Sequence, residues 1–597
     1  MARIPALVLV VLTGLAGGVL AACSQVPSDG PVRATGTSVP SPSAAPFDFN
    51  PPGPRSGAGP AEIVTGFLTA LEATPFSTRV ASQFLTERAA AAWRPERRTL
   101  LYQGRDVQTD PVQDSSSRTS VALRLSSTYA LDAAGRWDGP ATEVDRKALG
   151  LGLVREGGQW RLSSVPDAMM VPLSYFQDHY ARFALHYFDP SGRLLVPEPV
   201  YLPRGAQAAT LLVGHLLDGP REPDRGVERT YFPRGTRLTV SVSIRSDGVA
   251  EVPLTEEVRA LDGKDLDRAM AQLVWTLRQV PDVTAVRVTA GGRPLRAPGG
   301  GATLDVDSAA AYSPYVGYAE DALFSLSGDV VEEVRPFSTP ARTPLVRLPS
   351  SRRGDRLGVS LQATAAALSD SGGLVRTYPA GSGVDSPPGS GGAVTAVPSL
   401  RPLWDWSRRL WLVDPAGGPD AVQVALGTRR TALRVPGLPA GPLTAAALSR
   451  DGTRLVLAQA PSRGRSARLY LTRVLRASDE SGTPVRLSRA QPVATATALR
   501  RVVDLAWRDG TRVAVLNRPT RTTSVVELVS VDGQSESGAL GEPVDVLFAR
   551  GVALTSSPAT RTLLVSTDEP RTYELTLEGR WVEDDTLKGV ARPVFVG

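Results

Sequence analysis

Cysteine occurs once in the 597 residues, at Cys23. No internal disulfide can form and no cysteine-ligated zinc centre can be built. Stability must come from burial of apolar surface, which a chain of several large domains can supply. Histidine is almost as scarce: His179, His186 and His215 are the only three. Beyond His215 there is neither histidine nor cysteine, so a Ser-His-Asp site there would have to borrow its imidazole from another domain. The spacing of His179 and His186, seven residues, does not suit a shared zinc site, which favours i, i+4. Also missing are G-x-S-x-G, a Walker A loop, H-E-x-x-H and G-x-G-x-x-G. The reading is therefore of a protein that is not an enzyme and carries no cofactor or metal. Lysine is present only at Lys147, Lys264 and Lys588, against 63 arginines. That imbalance suits a GC-rich coding sequence and is no argument for nucleic acid. Finally, only one apolar run, 4–20, is long enough to matter to a membrane.

That run follows Arg3 and ends in Leu20-Ala21-Ala22-Cys23. A positive start, an apolar middle and a small-residue end make an export signal. The lone thiol stands where a leader would be cut, and the pattern resembles a bacterial lipobox. The resemblance implies cleavage after Leu20, Ala21 and Ala22, acyl chains on Cys23, and anchorage in membrane lipid on the extracytoplasmic face. One acyl chain holds only marginally, at roughly 0.8 kcal/mol per buried CH₂, and two or three hold almost permanently. The competing reading, an uncleaved spanning helix, is weakened by Gly14, Gly17 and Gly18. Segment 1–22 is thus the leader and 23–59 a lipidated linker with eight prolines. Too little apolar surface is available there to offset the entropy of ordering. As a coil it spans roughly 30 Å, a stand-off from the lipid surface.

Residues 60–192 read as an α+β domain. Ile63, Val64, Phe67, Leu68 and Leu71 keep helical spacing, and a second helix is expected over 81–93, stopped by Pro95. Strand-like runs follow at 99–107, 119–131, 148–155 and 160–165, with Gly157-Gly158 as a hairpin turn. Helices before an antiparallel sheet suit a cone such as the NTF2-like fold. Trp137 and Trp160 are expected in its core, with a pocket lining as the alternative. Segment 173–188, rich in tyrosine and phenylalanine, reads as an amphipathic helix docking one domain on the next.

Residues 193–308 form a second α+β domain. A helix is expected over 206–217, a hairpin around Ser246-Asp247-Gly248, a helix whose face carries Leu266, Met270, Leu273 and Leu277, and a strand over 283–289. Here "MAQLVWTLRQVPDVTAVRVTAGGRPL", after "LLDGP" and "FPRGTRL", resembles the GerMN domain of germination and sporulation proteins. The resemblance implies a binding module. Trp275, off the centre of the apolar stripe, is expected to pack, with an exposed sticky role as the alternative.

Residues 309–597 repeat themselves. "TAAALSDSGGLVRTY" (364–378), "PLWDWSRRLWLVD" (402–414), "TAAALSRDGTRLVLAQ" (444–459) and "DLAWRDGTRVAVLN" (504–517) share a strand–turn–strand plan. Weaker copies occur at 323–334 and 555–567. The spacing fits a β-propeller of about six blades, its chain ends sharing a blade. Gly381 to Gly392 reads as a flexible loop. Residues 401–473 hold twelve arginines against four aspartates. If several share a face, Arg408, Arg409, Arg429 and Arg430 would attract an anionic partner; if scattered, they guard blade edges. Asp405 with Asp414, and Glu583 with Asp584 and Asp585, are possible acid/base pairs, but acids in turns are expected to be solvated surface.

Leader, tether, α+β domain, GerMN-like domain and propeller, in that order, resemble the LpqB family of actinobacterial lipoproteins. The resemblance implies a partner, the extracytoplasmic domain of a sensor histidine kinase in an MtrAB-like two-component system. It implies a role as accessory to that kinase in envelope and division signalling. The alternative is a binder of envelope glycan or lipid.

Overall fold

The computed structural model describes residues 48–597 apart from 110–116, 297–299, 316, 335–341, 349–355, 371–373, 382–393, 396–397, 463–465, 480–482, 496–497 and 535–545. The leader, Leu20 to Cys23, most of the linker and the glycine-serine loop after Gly381 lie outside the described residues.

Pro60 opens the first helix, Pro60–Ala70, where its missing N–H costs nothing. The helix buries Ile63, Val64, Phe67 and Leu68, each contributing roughly 1.5–3 kcal/mol. The expected helix over 81–93 is instead two short ones, Arg79–Ser82 and Glu87–Ala92. Thr86 restarts the chain between them, its hydroxyl accepting from the Ala89 N–H at 3.1 Å. The runs at 99–107 and 119–131 also divide. Arg98–Tyr102 and Tyr129–Asp132 join a sheet with Trp137–Pro140 and Met169–Pro172. Gly104–Thr109 and Arg118–Ser126 join another with Leu149–Glu156 and Gln159–Ser164. The second break falls at Ser127, whose φ is 50°. Gly157 and Gly158 make the expected turn, both with positive φ. The result is helices against two four-stranded sheets, compatible with the NTF2-like expectation. Trp137 and Trp160 both pack in the core of this domain.

Segment 173–188 is not one helix. Leu173–His179 is helical, and then Tyr180–Phe188 is a strand paired antiparallel with Leu195–Pro203. Tyr180–Phe188 is covered along nearly all its length. Apolar residues therefore occupy both pleat faces, and the two-residue period that marks a strand is lost. Phe183, Leu185, Tyr187 and Phe188 pack with the second domain's helices. Position 193 thus lies in the turn of a hairpin.

The second domain continues with helix Ala208–Asp218, ended by Gly219 at φ 82°. The hairpin around Asp247 is shorter than expected: Ser243–Ile244 pairs with Val249–Leu254, and Val240 is left exposed. Helix Gly263–Leu277 turns Met270, Leu273 and Leu277 inward, as its spacing requires. It crosses over to Ala285–Ala290, which lies parallel to Val249–Leu254. Trp275 packs beside this core, its Nε1 donating to the Ala309 carbonyl at 3.0 Å.

Among the described residues the C-terminal region forms six sheets, blades one to six, whose innermost strands are in turn Val594–Phe595, Arg356–Val359, Leu403–Trp404, Leu443–Leu448, Val502–Trp507 and Gly551–Ser557. Their innermost strands are neighbours around a ring. Val594–Phe595 completes the first blade by pairing with Leu323–Ser327, Leu323 opposite Phe595. The chain ends therefore share a blade. The repeats, however, are not all equivalent. "TAAALS" at 444–449 is the innermost strand of blade four, yet the same string at 364–369 is the second strand of blade two. Adjacent blade strands have the same apolar demand, so a hairpin signature does not say which pair it joins.

Candidate functional site

The turns between first and second strands of blades three, four and five lie toward the GerMN-like domain. The hairpin formed by Tyr180–Phe188 and Leu195–Pro203 rests on them. Its tip is held by Asp189, whose carboxylate accepts the N–H groups of Arg193 at 2.8 Å and Leu194 at 2.9 Å. Leu194 then packs with Phe324 and Trp406 of the propeller. The Arg193 guanidinium lies 5.2 Å from the Trp406 ring centre. Gly510, from an Asp-Gly turn, is where Pro197 approaches. A Cβ at 510 would lie 2.5 Å from Pro197 Cγ, so glycine is required by the neighbour rather than by its own φ.

Five arginines of the arginine-rich stretch, Arg401, Arg409, Arg450, Arg454 and Arg473, are spent inside this architecture. Arg454, fully buried, donates to the Pro197 carbonyl at 2.7 Å and to Glu198 Oε2 at 2.9 Å. Its Nη2 is also 3.6 Å from Glu228. Arg473 reaches Glu198 at 3.3 Å, Asp224 at 3.3 Å and Glu228 at 3.4 Å. Two guanidiniums of blade four thus interlock with three acids of the GerMN-like domain. Burial works to raise the Glu198 pKa, but Arg473 and Arg454 outweigh it and hold Glu198 at about 2. Glu228 is pushed well above the ordinary carboxylate range, by burial and then by the charge of Glu198. Arg401 ties blade three to blades five and six, donating to the carbonyls of Leu554 and Leu505, each at 2.9 Å. Arg450 pairs with Glu320 at 2.9 Å. Arg476 pairs with Asp405 at 3.0 Å, both fully buried.

The four arginines expected to attract an anionic partner divide. Arg409 is buried and donates to the Thr483 hydroxyl at 2.7 Å, so it leaves any exposed patch. Arg408, at the left-handed position of its turn (φ 61°), is exposed, as are Arg429 and Arg430. The register of blade three, Leu410 opposite Ala425 and Ala425 opposite Arg430, brings these three to one end of the blade. Arg463 and Arg465 lie outside the described residues.

Of the carboxylates expected at solvated turns, Asp405 is instead fully buried. Burial works to raise Asp405, but Arg476, the Ser407 hydroxyl and the Trp411 indole outweigh it and hold it below its ordinary value. Asp414 accepts the Ala416 N–H at 2.8 Å. Asp584 accepts the N–H of Thr586 at 2.9 Å, and Glu583 is 3.8 Å from Arg571. The histidines are dispersed. The His179 ring stacks on Tyr175, and His186 is buried and pushed down to about 3 by burial and Arg278. His215 is 3.5 Å from Asp218. Among the described residues no three metal-ligating side chains gather, and no helix is long and apolar enough to cross a membrane.

Sequence reasoning missed Glu198, Asp224 and Glu228. A signal existed for the first. "LLVPEPVYLP" carries a single acid inside an otherwise apolar strand, and such a residue requires a buried cation.

Comparison with known families matches residues 53–177 to "Lipoprotein LpqB, N-terminal domain" and 355–596 to "Lipoprotein LpqB beta-propeller domain". The chain belongs to the LpqB lipoprotein family. The module between them, 184–296, matches "Sporulation and spore germination", the GerMN domain. Lipoprotein LpqB of Streptomyces coelicolor is 27% identical, covering 97% of each chain. That of Mycobacterium bovis strain BCG is 29% identical over 89% of this chain and 90% of its own. That of Thermobifida fusca is 26% identical over 92% and 94%. Among solved structures, the first GerMN domain of GerM from Bacillus subtilis aligns with 21% of this chain and 94% of its own. Its identity is 23% and its TM-score 0.18.

Proposed function

We propose that this LpqB-family chain is a non-catalytic accessory of a membrane sensor histidine kinase, of the MtrAB kind, held on the extracytoplasmic face by acyl chains on Cys23. The observation that carries the reading is the interlock of Arg454 and Arg473 with Glu198, Asp224 and Glu228. It gives a tethered lipoprotein one stiff presenting body in place of a string of loose modules. Anchorage confines that body to the membrane plane and raises its effective concentration beside an integral partner. It then favours whichever kinase state it binds better, and by no more than that difference in affinity. The test is in-vivo crosslinking of the wild type beside Cys23→Ala. The wild type should capture a sensor kinase, and the variant should lose both the membrane and the kinase. Capture of no kinase, with response-regulator phosphorylation unchanged on deletion, would retire the reading.

One observation favours a second reading, an envelope-polymer binder: Arg408, Arg429 and Arg430 are exposed at one end of blade three. Sedimentation with purified cell wall, lost when all three become alanine, would support it.

A further inference from the structure

The ring closes between blades six and one, and the closure is not solid. A cavity of about 610 Å³ lies there, within the roughly 300–1,000 Å³ of small-molecule sites. Its floor is apolar, from Leu564 on strand Thr562–Thr567, Phe595 on the closing strand, and Leu587. Its polar wall is of one sign. Glu574 is directly opposite Leu564 across the ladder, and Asp584 and Asp321 line the same space. Among the described residues no lysine or arginine lines it. Glu320 also borders the cavity, but its charge is met from outside by Arg450 at 2.9 Å.

Glu574 is half buried, and its pKa is raised by burial and then by the charge of Asp584. Carboxylates gathered over an apolar floor destabilise one another's ionised forms, and a cation among them removes that cost. A bare metal ion would leave the floor unused. An alkyl chain ending in ammonium or guanidinium uses both surfaces.

We infer that the cavity at the closure of the ring is a binding site for an organic cation with an alkyl body. The head pairs with Glu574 and Asp584, and the stem lies on Leu564 and Phe595. This inference does not depend on the kinase reading. The cation has two sources, a free polyamine or a lysine or arginine side chain of a peptide. Two probes separate them: spermidine, and a short capped Arg-Gly-Arg peptide.

The experiment is calorimetric titration of the full chain in non-ionic detergent with each probe. At least one probe should bind. Glu574→Gln with Asp584→Asn should weaken it about tenfold or more, the loss expected for a charge-assisted bond. Asn at 584 keeps the cap on Thr586. Thr562→Trp keeps every carboxylate, fills the cavity and should weaken binding as much, with the melting temperature of each variant reporting an intact fold. Tighter binding of spermidine assigns a polyamine, and tighter binding of the peptide assigns a partner's basic side chain. If neither probe binds the wild type at millimolar concentration, or if both folded variants bind as the wild type does, the site is disproved.

Discussion

Where the first domain meets the second, rings meet rings, and Arg221 pairs with Asp138 at 3.0 Å. Tyr201 lies 6.2 Å from Trp137 and 5.7 Å from Phe176, and its N–H donates to the Gly135 carbonyl at 2.8 Å. Where the second domain meets the propeller, guanidiniums meet carboxylates, with Arg454 and Arg473 around Glu198. The same hairpin strand, Leu195–Pro203, supplies Tyr201 to one seam and Glu198 to the other. An aromatic seam holds by area and tolerates small rotations. An ionic seam holds only in one geometry, because a displaced buried charge is left unpaired. The first seam therefore gives adhesion and the second gives orientation.

The comparison breaks most severely at Arg454. Arg454→Ala should cost about 3–5 kcal/mol, because Glu198 is left buried with one partner fewer. Urea unfolding should then show an early transition in which the propeller parts from the rest. Tyr201→Ala should cost about 3 kcal/mol at the aromatic seam, and that loss should not vary between pH 4 and 8. A loss that follows pH there would mean that the two seams are not separate.

The ionic seam should follow pH in two directions. The Glu198 pKa falls from 4.5 to about 2 on folding, so its contribution is present above pH 4.5 and is lost as pH falls toward 2. The Glu228 pKa rises on folding, so its ionisation works against the fold as pH climbs above 4.5. Glu198→Gln should therefore lower the melting temperature at pH 7. Glu228→Gln should leave stability at pH 7 unchanged or raise it, by about 1 kcal/mol at most. Smallest of all, Arg408→Ala, Arg429→Ala and Arg430→Ala should each, made singly, change stability by no more than about 0.5 kcal/mol, as exposed positions do.

The sequence made some of this legible. Helix Gly263–Leu277 was plain because one face is wet and the other dry, so its period survived. The six-bladed ring was plain because its turns recur. Strand Tyr180–Phe188 was hidden for the converse reason: both its faces are covered, and alternation disappears. The arginine stretch misled through distance. Arg454 meets Glu198, and Arg473 meets Glu228, across more than two hundred residues of chain. No local pattern records such a pairing. Exposed Arg408 and buried Arg409 are neighbours in sequence, and only the left-handed turn separates their fates.

Because Val594–Phe595 is the piece that joins blade one to blade six, the ring cannot close until that strand has been made. Synthesis runs from the other end, so the two α+β domains can settle first and wait. A chain stopped before Val594 would carry five intact blades and an open rim of unpaired strand. Loss of Val594–Phe595 would thus strip one edge of Leu323–Ser327 of its partner.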